Sequence, residues 1–199
     1  MVMRSTALVV FCGLLAAPAY ANPAVSLPSQ LVSEIGNEAV LMLSDTTGTS
    51  DVRDSEVRRL LRKGFDLAAM GRAVAGGYWD QATEVERSEY LMLFEDYLVR
   101  VHARALSHYF GAAIKVDGER VVGADTYVTT SIEQPNAPPV QVFWRVSNRT
   151  GSHKILDVNV SGVSMLQTLR AEFMSVIQRG GGKLTSIFAS LRQKIAAAN

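Results

Sequence analysis

The chain is short of cysteine, and that is the first constraint. Its 199 residues include one, Cys12, inside an apolar N-terminal run, so no disulfide framework can brace the fold. Histidine is scarce too. His102, His108 and His153 show no ligand spacing, and the step of six between the first two puts them on different faces of a helix. Nothing reads as a metal site or calls for a cofactor. An excess of either charge is also missing. With Arg4 set aside, 19 basic residues (20 − 1) stand against 19 acidic ones, and neither sign forms a run. That balance argues against nucleic acid or an anionic membrane surface as the main partner. No segment beyond the N-terminus is apolar enough to span a bilayer, and there is no internal repeat or long low-complexity tract. What the chain does have is apolar content, 48% over its full length. That suffices for the hydrophobic core of one domain of ordinary size.

Residues 1–21 read as a secretory signal peptide. Arg4 is their only charge, Thr6 to Ala17 is a short apolar run, and Pro18-Ala-Tyr-Ala21 ends in an A-x-A pattern. The run is too short for a transmembrane helix. Cleavage after Ala21 would start the mature chain at Asn22 and leave it without cysteine. Phe11 stands before Cys12 where a lipoprotein signal carries a small residue, which excludes a lipid anchor. The expectation is an exported protein in which residues 22–199 form a single domain.

Periodicity predicts helices at both ends of that domain and strands in its middle. Ser29 caps a helix to about Ser44 with Leu31, Ile35, Ala39 and Leu43 as one stripe. After a polar turn, a second helix covers Asp54 to Lys63, with Val57, Leu60 and Leu61 inward and Arg58, Arg59, Arg62 and Lys63 outward. Phe65 to Trp79 is the most distinctive text in the chain. Asp66 caps a short helix whose apolar face is Leu67, Met70 and Val74. Gly76 and Gly77 allow the positive φ that ends it, turning Tyr78 and Trp79 back toward the fold. Thr83-Glu-Val-Glu86 is a capping box that opens the longest helix, to about Tyr109. Its broad apolar face is Tyr90, Phe94, Tyr97, Leu98, Val101, Ala105 and Leu106.

The period then changes to two. Ala112–Val116, Arg120–Glu133, Val140–Ser147 and Lys154–Val160 predict four strands, separated by turns at Asp117-Gly118, Gln134 to Pro139 and Asn148 to Ser152. Val140, Val142, Trp144 and Val146 share one face of the third strand, and Leu156, Val158 and Val160 one face of the fourth. Ser164 caps a further helix carrying Leu166, Leu169, Phe173, Val176 and Ile177, and a last helix spans Leu184 to Ile195. The fold class is α+β: an antiparallel meander with one greasy face covered by helices.

Motifs for catalysis fail on inspection. Gly162-Val-Ser164 lacks the second glycine of a nucleophile elbow, since Leu166 stands there. Gly182-Lys183 lacks the Ser or Thr of a phosphate-binding loop, since Leu184 follows, and Ile177 replaces the leading Gly. Asp157 sits between apolar neighbours on a strand, and Arg145 is a sufficient structural partner for it. What remains is surplus apolar surface on both helices and sheet. It either fills a solid core or leaves a slot for an apolar ligand.

Three segments together resemble a known family. They are Phe65-Asp66, Met70, Arg72, Val74, Gly77, Tyr78-Trp79 and Thr83; then Val128-Thr-Thr-Ser-Ile132 with Val140 to Val146; then Lys154-Ile-Leu-Asp157-Val with Gly162-Val-Ser164-Met and Arg170-x-Glu-Phe173. Their order and spacing, from about Leu31 to Ile195, resemble the MlaC-type periplasmic phospholipid-binding proteins, also known as toluene-tolerance auxiliary transport proteins. The hopanoid-associated HpnM-like subgroup is similar in the same segments.

The resemblance implies a non-enzymatic, NTF2-like α+β carrier in the periplasm that maintains outer-membrane lipid asymmetry. Its ligand would be a phospholipid held by its acyl chains. Its partners would be an outer-membrane lipoprotein complex and an inner-membrane ABC transporter complex with a substrate-binding subunit. The candidate pocket lining is Phe65, Met70, Val74, Phe94, Leu98, Val101, Val128, Val142, Trp144, Val158 and Phe173, with no catalytic or metal residue. A carrier of hopanoid or another apolar ligand, a ligand-free NTF2-like interaction protein and, more distantly, an exported hydrolase using Ser164 are the competing readings.

Overall fold

A computed structural model describes residues 27–44, 49–106, 113–134 and 137–198. The expected signal peptide 1–21, with Cys12, and the expected mature start at Asn22 lie outside the described residues. So do His108, Tyr109 and the side chains of Leu43, His102, Ala105 and Leu106.

The helical half opens with α1 (Pro28–Ser44) and α2 (Ser50–Gly64). α1 begins one residue earlier than its expected cap. Pro28 takes the first helical position, where its missing N–H costs nothing, and Leu27 accepts from Gln30 and Leu31. α2 starts four residues earlier than expected, because Thr49 caps it by accepting from the Val52 N–H.

Asp66 accepts from the Ala69 N–H at 2.9 Å and starts α3 (Leu67–Ala75) as expected. Of the glycine pair only Gly76 takes a positive φ, +57°. Gly77 instead opens a helical turn, α4 (Gly77–Gln81), that carries Tyr78 and Trp79. Gly76 also serves close packing: a Cβ there would lie 2.9 Å from the Arg170 guanidinium, which donates to the Ala73 carbonyl. The reciprocal box between Thr83 and Glu86 then begins α5 (Glu84–Leu106).

Five strands make one antiparallel sheet in chain order: β1 (Ala113–Val122), β2 (Asp125–Gln134), β3 (Ala137–Ser147), β4 (Lys154–Val160) and β5 (Val163–Ser164). Two expectations are corrected here. The first hairpin turns at Gly123-Ala124, where Gly123 has φ +62°. Asp117-Gly118 is instead a bulge within β1, so one long strand replaces a strand and a turn. A second bulge shifts the register between Arg145 and Val146, placing Ile155 opposite Val146. Ile155, with Val158 and Val160, therefore joins the apolar face, and Leu156 is the extra residue rather than a member of it.

The chain closes with α6 (Met165–Arg179), a 3-10 turn (Leu184–Ile187) in place of the expected first turn of the last helix, and α7 (Phe188–Ala197). No helix among the described residues is long and apolar enough to cross a membrane.

Two hydrophobic cores result. In one, α1 and α2 cover the sheet, joining Leu31, Val32, Ile35 and Leu60 to Val128, Ile132, Val142, Trp144, Val146 and Ile155. In the other, α3, α5, α6 and α7 pack on each other around Tyr90, Phe94, Tyr97 and Phe173.

Candidate functional site

The sheet core contains a partly open cavity of about 160 Å³. Its helical wall is Ile35, Ala39, Val40 and Met42 from α1 with Val57, Leu60 and Leu61 from α2. Its sheet wall is Ile114, Ile132, Val142, Trp144, Val158 and Val160, with Phe65 at the end of α2 and Gly36 on α1. Every lining residue is apolar. The wall has this shape because of what the helices omit. A Cβ at Gly36 would come within 2.5 Å of the Ile114 side chain, so glycine lets α1 sit close to β1. Ala39, one turn on, supplies only a methyl group.

Trp144 is the one lining residue with a polar atom to satisfy. Its indole N–H donates to Thr130 Oγ1 at 2.9 Å, and Thr130 is itself fully buried behind it. The polar edge is thereby consumed within the sheet, and the ring contributes apolar surface.

Charge holds the helical wall in place from outside. Arg58 donates to Glu95 at 2.6 Å and to Asp96 at 2.7 Å, tying α2 to α5. Burial alone would lower the Arg58 pKa, but Glu95 and Asp96 outweigh it and raise it. Lys63 and Arg59 both bond Glu38, tying α2 to α1. The Lys63 hydrogen bond holds the Glu38 carboxyl below its usual value. Arg58 and Arg62, read from the sequence as outward-facing, are thus engaged within the fold.

The structure sorts the eleven candidate residues into two groups. Phe65, Val142, Trp144 and Val158 line the cavity, and Val128 is buried in the same core without lining it. Met70, Val74, Phe94, Leu98, Val101 and Phe173 pack in the helical core, where ring centroids of Phe94 and Phe173 lie 6.1 Å apart, edge to face. Tyr78 and Trp79 pack against that helical core too. The α1 and α2 residues, and Ile114, Ile132 and Val160, are not among the pocket candidates read from sequence, although Ile35, Ala39, Val57, Leu60, Leu61 and Val160 are placed there on apolar faces. The usable signal was the pairing of Gly36 and Ala39 on an otherwise greasy stripe, which marks a face that approaches closely without filling space.

The remaining polar groups show architecture rather than a nucleophile. The Ser164 hydroxyl donates to Asp157 at 2.5 Å and accepts from the Gln167 N–H at 3.1 Å, as a helix cap does. Asp157 also accepts from the Leu166 N–H. Its partners are therefore the start of α6 and not Arg145, which pairs with Asp125 at 2.7 Å. Among the described residues no group of three or more His, Cys, Asp or Glu side chains could hold a metal ion.

Comparison with known proteins bears on the fold and the family. A solved phospholipid-binding protein from Ralstonia solanacearum, in complex with a phospholipid, superposes with a TM-score of 0.71 at 22% identity, over 84% of this chain and 96% of that one. It shares the fold. The intermembrane phospholipid transport system binding protein MlaC of Haemophilus influenzae is 27% identical over 130 residues, 63% of this chain. The match spans 61% of that relative's length. Residues 36–193 match the family described as MlaC protein, and the chain belongs to that family.

Proposed function

We propose that this protein binds a glycerophospholipid by its acyl chains, between the sheet and the α1–α2 layer, and carries it through the aqueous space between two membranes. The observation that carries the reading is the cavity itself: fifteen lining residues, all apolar. The names of the related proteins, one phospholipid-binding and one of intermembrane phospholipid transport, support it.

The energetics require a carrier of this kind. Exposing two acyl chains of roughly thirty methylenes to water costs about 25 kcal/mol at about 0.8 kcal/mol per CH₂. A soluble shuttle must therefore enclose the tails, and release into water is too slow to be the transfer step. Handover occurs in contact with the partners: an outer-membrane lipoprotein complex on one side and an inner-membrane ABC transporter complex on the other.

Loading also requires movement. A cavity of about 160 Å³ compares with the roughly 150 Å³ that holds one benzene, and drug-sized ligands occupy about 300–1,000 Å³. Two tails fit only when α1 and α2 shift away from the sheet.

The test is to purify the protein, extract it with organic solvent and identify what is recovered by mass spectrometry. Near-stoichiometric phospholipid supports the carrier. Recovery of a hopanoid changes the cargo, and folded protein without apolar ligand, even after incubation with vesicles, overturns the reading.

A further inference from the structure

Phe65 lines the apolar cavity on one side and a surface cleft of about 390 Å³ on the other. That cleft differs from the cavity in carrying charged side chains beside its apolar residues Leu67, Ala68 and Leu91. It holds Arg62, Lys154, Asp66 and Glu95. Taking the carrier reading as given, we propose that this cleft seats the phosphodiester headgroup of the bound lipid, with Phe65 at the boundary between head and tails.

Lys154 is the fixed cation of the site. Its ammonium donates to the carbonyls of Arg62 at 3.0 Å and Lys63 at 2.7 Å, at the C-terminal end of α2. Those carbonyls orient it without neutralising its full charge, and it bridges to no carboxylate among the described residues. Arg62 is the adaptable cation. Its side chain is 64% exposed, and its partner Glu95 is shared with Arg58 through the same carboxylate oxygen. Arg58 can satisfy Glu95 alone, which leaves Arg62 free to turn a guanidinium fork onto a phosphate.

The two carboxylates make the cleft mixed in sign. Asp66 is held by the α3 cap and Glu95 by Arg58. A headgroup that carries an amine beyond its phosphate therefore meets opposite charges in both places.

A rival cleft shares Met42 with the cavity and contains Arg53, Arg59, Glu38 and Glu56. It fits a headgroup less well. Arg59 is divided between Glu38 and Glu56, and no cation in that cleft is anchored on backbone carbonyls as Lys154 is, among the hydrogen bonds of the described residues.

The experiment loads the purified protein from vesicles containing phosphatidylcholine and diacylglycerol with identical acyl chains, and counts bound ligands by native mass spectrometry. Wild type is expected to prefer the phospholipid by about tenfold, the worth of one charge-assisted hydrogen bond. Arg62→Gln cuts that preference to about twofold, Arg62→Lys restores part of it, and Arg53→Gln in the rival cleft leaves it unchanged. Millimolar inorganic phosphate leaves the wild-type preference intact, because the tethered headgroup has the higher effective concentration.

Equal loading of the two lipids, or a preference lost in Arg53→Gln and kept in Arg62→Gln, overturns the headgroup seat while the carrier stands. A preference erased by phosphate marks a free-anion site and also overturns it. Uptake of neither lipid by folded protein overturns the carrier reading as well.

Discussion

Both cores are built from apolar residues, yet one is knit by interlocking rings and the other leaves space. In the helical core, Tyr90, Phe94, Tyr97 and Phe173 meet at centroid distances of 5.5 to 6.5 Å, and their edges and faces interlock. In the sheet core, short stiff side chains such as Val142, Val158 and Val160 face α1, where Gly36 and Ala39 offer little volume. Hydrophobicity does not distinguish a stabilising core from a ligand cavity. Side-chain shape across the interface does.

That contrast can be broken by mutation, and the largest effect belongs to the ring-packed core. Phe173 is 1% exposed and touches three rings, so Phe173→Ala should lower stability by about 3–5 kcal/mol in urea unfolding. Val158→Ala, beside existing space, should cost less than about 1.5 kcal/mol. Equal costs would abolish the distinction.

Filling the cavity should do the reverse. Ala39→Phe puts a ring into it, and lipid recovered per folded molecule should fall about tenfold, or roughly 1.4 kcal/mol, with little change in urea midpoint. If loading survives, the tails lie elsewhere. Next comes the ionic tether. Arg58→Ala removes two of the ion pairs between α2 and α5 and should cost about 1 kcal/mol, read by chemical denaturation with its salt dependence.

The smallest expected effect sharpens the comparison by pH. Burial, aided by Glu172, pushes the Tyr97 phenol up to about 12, and burial also raises Tyr90. A raised folded pKa means stability is fully present below the ordinary tyrosine value near 10 and is lost as pH rises through the folded one. Tyr97→Phe should therefore flatten the loss of stability between about pH 10 and 12, measured by denaturant midpoints across that range. The same slope in wild type and variant would remove Tyr97 from the account.

Much of the fold is legible in the residues. The strand Lys154–Val160 and the caps at Asp66, Thr83 and Ser164 follow from period and side-chain chemistry. The first hairpin was misread because Asp117-Gly118 carries the strongest short turn signal in that region. Pairing with β2 on both sides absorbs it as a bulge. β5 has two residues, too few for any period. Less of the candidate cavity is legible. Periodicity shows which faces are greasy, as on α5, but not which greasy face meets which. Phe94 and Phe173 met each other, while α1 met the sheet.

Trp144 and Trp79, the two tryptophans of the chain, allow the central claim to be read directly, since Trp144 lines the cavity and Trp79 packs against the helical core. A phospholipid carrying a nitroxide on its acyl chain, loaded into Trp79→Phe and into Trp144→Phe, should quench fluorescence in the first protein and leave the second bright. Quenching of Trp79 with Trp144 unaffected would contradict the placement of the tails between the sheet and α1–α2.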